Sequence, residues 1–393
     1  MEEVTIINLL GKELIRLSGQ DKNPLFVRSP GRINLIGEHT DYNDGFVLPS
    51  AIDRAIYFAI QPTNGFEARI RSLNFNDDFR FQVNHPVKSG KGWANYLIGV
   101  VNKLKEAGYS VRGFDCILEG NIPIGAGLSS SAAIGAGLGY ALNEVFNLGI
   151  ERCELARLVQ KSENEFVGLR CGIMDQFANL LSKEDSVFKL DCRSLQYEYH
   201  RITPDGLCFV LCDTQVKHEL ASSKYNVRRR ECEDAVHVIA AHHPGIKSLR
   251  DVTSDILMEQ KKELGDALYR RSEYVLAEND RVVESCRLID TMDFEKFGDL
   301  LYESHRGLRD EYEVSCDELD ILVEAASKVN GVLGARMMGA GFGGCTLNLV
   351  KVAALREFEK KIEAEYLTKV GKKPLFYECN LVGGTSLINN QHD

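Results

Sequence analysis

The sequence predicts an α+β protein of two lobes. Three observations carry this: short apolar runs rich in branched residues, longer segments with helical spacing, and a turn at Pro204-Asp205-Gly206 that parts a strand-rich first half from a helix-rich second half. A chain of 393 residues has room for two cores, at roughly 100 to 200 residues per domain, so lobes are expected at 1–205 and 206–393. In order, the strand patterns are RAIYFAI (54–60), FDCILEG (114–120), LCFVLCD (207–213) and CTLNLV (345–350). Helical spacing runs over 93–107, 129–146, 151–166, 222–242, 255–278, 293–309 and 317–329. No repeat or low-complexity tract interrupts them.

Composition excludes several classes. With 47 basic against 57 acidic side chains, the formal charge of -10 leaves no broad positive field for nucleic acid or an anionic membrane. Arg228, Arg229 and Arg230 are followed by Glu231, Glu233 and Asp234 and read as a solvated helix face. The first residues, Met1-Glu2-Glu3, lack a basic region before an apolar stretch, and no run approaches eighteen uncharged apolar residues, so a soluble cytoplasmic chain is expected. The eleven cysteines include no CxxC pair and read as thiols of a reducing compartment; Cys208 and Cys212 read as strand residues, not metal ligands. No HExxH spacing occurs, which argues against a metal cage made wholly of protein.

The stretch PIGAGLSSSAA carries the strongest local chemistry. Gly125 and Gly127 permit positive φ, and the serines sit where a helix leaves its first amides unpaired. Those amides and the helix dipole form an anion site, to which serine hydroxyls add phosphate donors or magnesium ligands. The plainer alternative is a capped helix after a glycine turn. A Walker A loop is excluded, because no lysine follows Gly127. A dinucleotide-like GAGFGG occurs at 339–344, but a strand pattern follows it where that motif requires a helix.

Two further stretches are rich in carboxylates. Between Ser29 and Ile52 lie Arg32, Glu38, His39, Asp41 and Asp44 beside Gly31, Gly37 and Gly45, a set suited to accepting hydrogen bonds from a polyol, or equally to a polar hairpin loop. SENEFVGLRCGIMDQFANLL places Glu163 near the end of one helix and Asp175 in the first turn of the next, where an aspartate is ordinarily favoured by the dipole alone.

Together these stretches resemble the galactokinases of the GHMP small-molecule kinase superfamily across essentially the whole chain. GRINLIGEHTDYNDG is similar to the galactokinase signature, PIGAGLSSSAA to the superfamily's ATP loop, and GARMMGAGFGGCTLNLV to its third motif, with Met338 where many relatives carry a hydroxyl residue. The resemblance implies an N-terminal lobe of the ribosomal S5 domain 2 type, a C-terminal ferredoxin-like GHMP lobe, and an active site between them. It implies that Glu38, His39, Thr40 and Asp41 grip the sugar, with Gly172 contributing backbone and Tyr225 closing over the ring. Gly125, Ala126, Gly127, Leu128, Ser129, Ser130 and Ser131 would cradle ATP, with Ser72 near the nucleotide and Gly339 to Gly344 meeting the phosphates from the other lobe. Ser131 and Glu163 would hold Mg2+. Asp175 would take the proton of the sugar C1 hydroxyl, with Arg32 beside it offsetting charge at the transferring phosphoryl group.

The implied activity is transfer of phosphate from ATP to D-galactose, giving the galactose 1-phosphate of the Leloir pathway, by a monomer. Two alternatives stand beside it: a kinase for N-acetylgalactosamine or L-arabinose, and a galactose and ATP sensor without catalysis. The uninterrupted GLSSSAA, with Asp175 and Arg32 present, favours the enzyme.

Overall fold

The structure is a computed structural model that describes residues 3–20, 23–123, 125–202, 206–216 and 221–388, the side chains of 221–223 excepted. The turn residues 203–205, expected to part the lobes, lie outside the described residues.

Apolar residues four apart put Ile6, Leu10 and Leu14 on one buried face of α1 (Glu3–Ser18). There follow β1 (Leu25–Asn34), β2 (Phe46–Val47), β3 (Pro49–Pro62), β4 (Glu67–Ser72), β5 (Asp77–Gln82), α2 (Gly92–Glu106), β6 (Phe114–Gly120), α3 (Ser130–Phe146), α4 (Arg152–Lys161), α5 (Met174–Leu181), β7 (Ser186–Asp191) and β8 (Tyr197–Arg201). One sheet has the order β14-β1-β3-β6-β4-β5, with only the β4–β6 pair parallel, and β13 joins it at β3. Its members β13 (Leu381–Val382) and β14 (Ser386–Leu387) come from the chain's other end. After Arg54 the run to Ile60 has no charged residue because β3 is covered on both faces. Ala55, Tyr57 and Ala59 meet α1, while Ile56, Phe58 and Ile60 enter the main core.

The second half contributes β9 (Leu207–Asp213), α6 (Ala221–Ala240), α7 (Ser254–Glu259), α8 (Lys261–Asp290), α9 (Phe294–Arg306), α10 (Asp317–Ser327), β10 (Val332–Met337), β11 (Cys345–Lys351), α11 (Leu355–Val370) and β12 (Leu375–Cys379). Its antiparallel sheet has the order β10-β11-β9-β12. Alternation splits β9: Val210 and Cys212 face α10 and α11, whereas Phe209 and Leu211 join the core that continues into the first lobe. Cys208 and Cys212 are thus strand residues, and all eleven cysteines are free. Among the described residues no helix is long and apolar enough to cross a membrane.

One segment differs from its sequence pattern. The helical spacing at 255–278 spans α7 and the first part of α8, and α8 is itself kinked at Gly265 (φ 66, ψ 173) before it runs on to Asp290.

Helix α9 lies directly on β10, where a Cβ at Gly298 would sit 2.1 Å from the Leu333 carbonyl oxygen. Backbone cannot yield there. Gly298→Ala is expected to cost about 1–3 kcal/mol or more in denaturant unfolding, whereas Gly92→Ala, in open space at the start of α2, is expected to be neutral or to gain up to about 1 kcal/mol.

Candidate active site

Two glycine loops from different halves of the chain meet at the cleft. Gly125 (φ 85) and Gly127 (φ 76) turn the chain into α3, and Gly339, Gly341, Gly343 and Gly344 all have positive φ in the facing loop. A Cβ at Gly339 would lie 3.5 Å from the Gly127 carbonyl oxygen, and one at Gly344 the same distance from that of Ala126, so backbone meets backbone. Ser129 precedes the helix in the left-handed region (φ 58, ψ 50) and makes no capping bond. The side-chain cap of the plainer alternative is therefore absent, and the Ser129 hydroxyl donates to Asp175 Oδ2 instead. With no side chain on them, the amides opening α3 keep the character of an anion site.

Strand β1 delivers Arg32 through a register shift between Pro30 and Arg32. A Cβ at Gly31 would lie 2.9 Å from the Leu128 carbonyl oxygen, so glycine there lets β1 reach the loop. Arg32 Nε donates to Asp175 Oδ1 at 2.7 Å and Nη1 to the Gly127 carbonyl at 2.6 Å. Asp175, in the first turn of α5, is thus held by a cation on one oxygen and a hydroxyl on the other.

A cleft of about 300 Å³ opens beside this pair. It brings together Arg32, Glu38, His39, Asp41, Gly172, Asp175 and Tyr225, all singled out from the sequence, with Gly339 and Ala340 of the glycine loop at 339–344 and with Leu169, Cys171 and Met174, which were not. Gly172 is glycine because a Cβ would fall 1.8 Å from Asp41 Oδ2. Burial, then the neighbouring Asp175 and Glu38, push the Asp41 carboxyl up to about 7.

His39 is neutral, since burial depresses its imidazole to about 3. Its Nε2 lies 3.2 Å from the Ala340 carbonyl, which can only accept, so Nε2 carries the proton and Nδ1 accepts from the Tyr42 hydroxyl at 2.7 Å. Tyr42 in turn accepts from Tyr312 at 2.8 Å. The Tyr225 ring sits 5.5 Å from that of His39.

Gly125 to Ser131, Glu163, Thr40 and Ser72, also candidates from the sequence, do not line this cleft. The Thr40 hydroxyl faces the carbonyls of Gly37 and Phe46 at 2.8 and 2.6 Å and holds the loop's own turn. Ser72 is buried at the end of β4, where its hydroxyl accepts from the Phe75 amide at 3.4 Å. Glu163 is buried and raised to about 7 by burial, against hydrogen bonds from Gln176, at 2.6 Å, and Ser131. Among the described residues no group of three or more His, Cys, Asp or Glu side chains could hold a metal ion. Ser131 and Glu163 together fit a hard cation that keeps waters and phosphate oxygens as its remaining ligands.

A raised Asp41 pKa means that the folded state binds this proton more tightly than the unfolded chain, so stability falls as pH rises from about 4 to about 7. Asp41→Asn removes that penalty. The ligand-free variant is expected to melt above wild type, with a larger margin at pH 8 than at pH 5.

Comparison with known proteins agrees with this geometry. Residues 95–183 match the GHMP kinases N terminal domain, 16–62 the galactokinase galactose-binding signature and 282–366 the GHMP kinases C terminal domain. The chain is 41% identical over 387 residues to the galactokinase of Clostridium beijerinckii, covering 97% of this chain and 99% of that one. It is 40% identical to that of Thermotoga neapolitana, covering 92% and 99%. The structure superposes with a TM-score of 0.94 on Lactococcus lactis galactokinase complexed with galactose, at 35% identity, covering 97% of this chain and 99% of that chain. Methanococcus jannaschii mevalonate kinase, at TM-score 0.65 and 19% identity over 93% of this chain and all of its own, shares the fold alone. The chain belongs to the galactokinases of the GHMP kinase family.

Proposed function

We propose that the protein phosphorylates D-galactose at its C1 hydroxyl with ATP, releasing galactose 1-phosphate and ADP. The observation that carries this is the position of Asp175: fixed by Arg32 and Ser129, it stands between the phosphate loop and a cleft lined by Glu38 and Asp41.

Residues 125–131 take the triphosphate on the amides opening α3, while the backbone at 339–344 closes over it. Glu38, Asp41 and the Gly172 backbone receive the sugar hydroxyls, and Tyr225 covers the ring. Ser129 rehearses the chemistry, because its alcohol donates to the same carboxylate that a C1 hydroxyl would reach. As the sugar oxygen attacks the γ-phosphorus, its proton passes to Asp175, and the Arg32 guanidinium faces the charge that builds on the phosphoryl oxygens. Ser131 and Glu163 would hold magnesium, which would supply neutralisation of phosphate charge when bound. The assignment includes lobes at 1–205 and 206–393, with β13 and β14 returning to the first sheet, and a monomer in the cytoplasm.

Asp175→Asn is expected to lose about 10²- to 10⁴-fold in kcat with the fold retained. Turnover within about threefold of wild type would remove Asp175 as the base. The Kd for galactose is expected to fall as pH rises from 6 to 8, since Asp41 accepts hydroxyls best when ionised, and this slope is expected to flatten in Asp41→Asn. ADP release across galactose, N-acetylgalactosamine and L-arabinose tests the substrate. Galactose is expected to lead; another sugar leading, or binding of sugar and ATP with no ADP formed, would replace the proposal.

A further inference from the structure

Resting on that function, we infer that Arg336 is a positioning residue that couples the sugar side of the cleft to the nucleotide side. It is wholly buried on β10, yet no part of the phosphate or sugar machinery described above uses it. Its guanidinium reaches three partners: Nη2 donates to Glu38 Oε1 at 2.5 Å, Nη1 to the Leu35 carbonyl and Nε to the Met337 carbonyl, each at 3.1 Å. The same Glu38 oxygen accepts from the Gly339 amide at 2.8 Å. Gly339 is the residue whose backbone abuts Gly127 of the phosphate loop.

One carboxylate oxygen therefore fixes the sugar loop and the facing glycine loop at once. Arg336 fixes that oxygen. With Oε1 committed to Arg336 and Gly339, Glu38 has Oε2 left for a sugar hydroxyl, so a shift of the glycine loop on nucleotide binding must be felt in the sugar cleft. The reverse holds equally, because coupling between two ligands is reciprocal. A residue that merely filled the core would leave sugar and nucleotide affinities independent of each other.

Calorimetry on the full chain with magnesium tests this, using D-galactose and an ATP analogue with a β,γ-imido bridge. Wild type is expected to bind galactose at least about fivefold more tightly when the analogue is present. In Arg336→Gln that ratio is expected to fall to within about twofold of one. Because this change leaves Glu38 buried without its cation, the Glu38→Gln/Arg336→Gln double variant, which is neutral at both positions, guards against misfolding. It is expected to show the same loss of coupling, with thermal unfolding kept cooperative. A folded variant that retains the wild-type ratio would overturn the inference alone, as would a wild type that binds both ligands without coupling. A wild type that binds neither galactose nor the analogue would overturn the proposed function as well.

Discussion

Arg32 and Asp175 form the contact on which the rest of the site depends, 143 residues apart in the chain and 2.7 Å apart in space. The Arg32 side chain is 7% exposed and that of Asp175 27%, so the pair sits where removing either partner strands a charge with little water to receive it. Several backbone features serve this contact. The register shift in β1 turns Arg32 inward, Gly31 admits the Leu128 carbonyl, and the Gly127 carbonyl takes the second guanidinium nitrogen. The loop that presents Gly127 also places Ser129 against the other oxygen of Asp175. Asp175, the glycine-serine loop and the first sheet are thus fixed relative to one another by one ion pair and its hydrogen bonds.

Around that pair the protein gathers more negative charge than it neutralises. Asp41 and Glu163 are both raised to about 7, each chiefly by burial, and the charge of Asp175 contributes to both shifts. Such a cluster destabilises the ligand-free fold, and perturbed carboxylates concentrated in a cleft are what a functional site ordinarily shows. On the proposed function, sugar hydroxyls at Asp41 and a cation at Glu163 would relieve the two groups separately.

Much of this was legible in the sequence. Strands 114–120 and 207–213 read correctly because each is a continuous apolar run between turn residues, and their observed bounds are the same. The spacing at 255–278 misled because Gly265 sits within it without breaking the apolar period, so a junction between helices looked like one helix. The serine-rich turn, Asp175 and the carboxylates at 38 and 41 were visible as residue types. Of what they touch, the resemblance implied Arg32 beside Asp175, as the structure has it, and little else was legible. Glu38 is bound to Arg336, 298 residues away, and local pattern holds no signal for such a pair; an isolated arginine in an otherwise apolar strand was its one trace. Thr40 differs in kind, since its hydroxyl, inside a ligand-like stretch, bonds the loop's own turn.

The central claim is the placement of one carboxylate between two ligands, and a crystal structure with galactose and the β,γ-imido analogue of ATP tests it most directly. The anomeric oxygen of galactose is expected within hydrogen-bond reach of Asp175, having taken the place of the Ser129 hydroxyl, with the terminal phosphate over residues 125–131. A sugar seated with its anomeric oxygen turned away from Asp175, or phosphates bound anywhere but that turn, would contradict it.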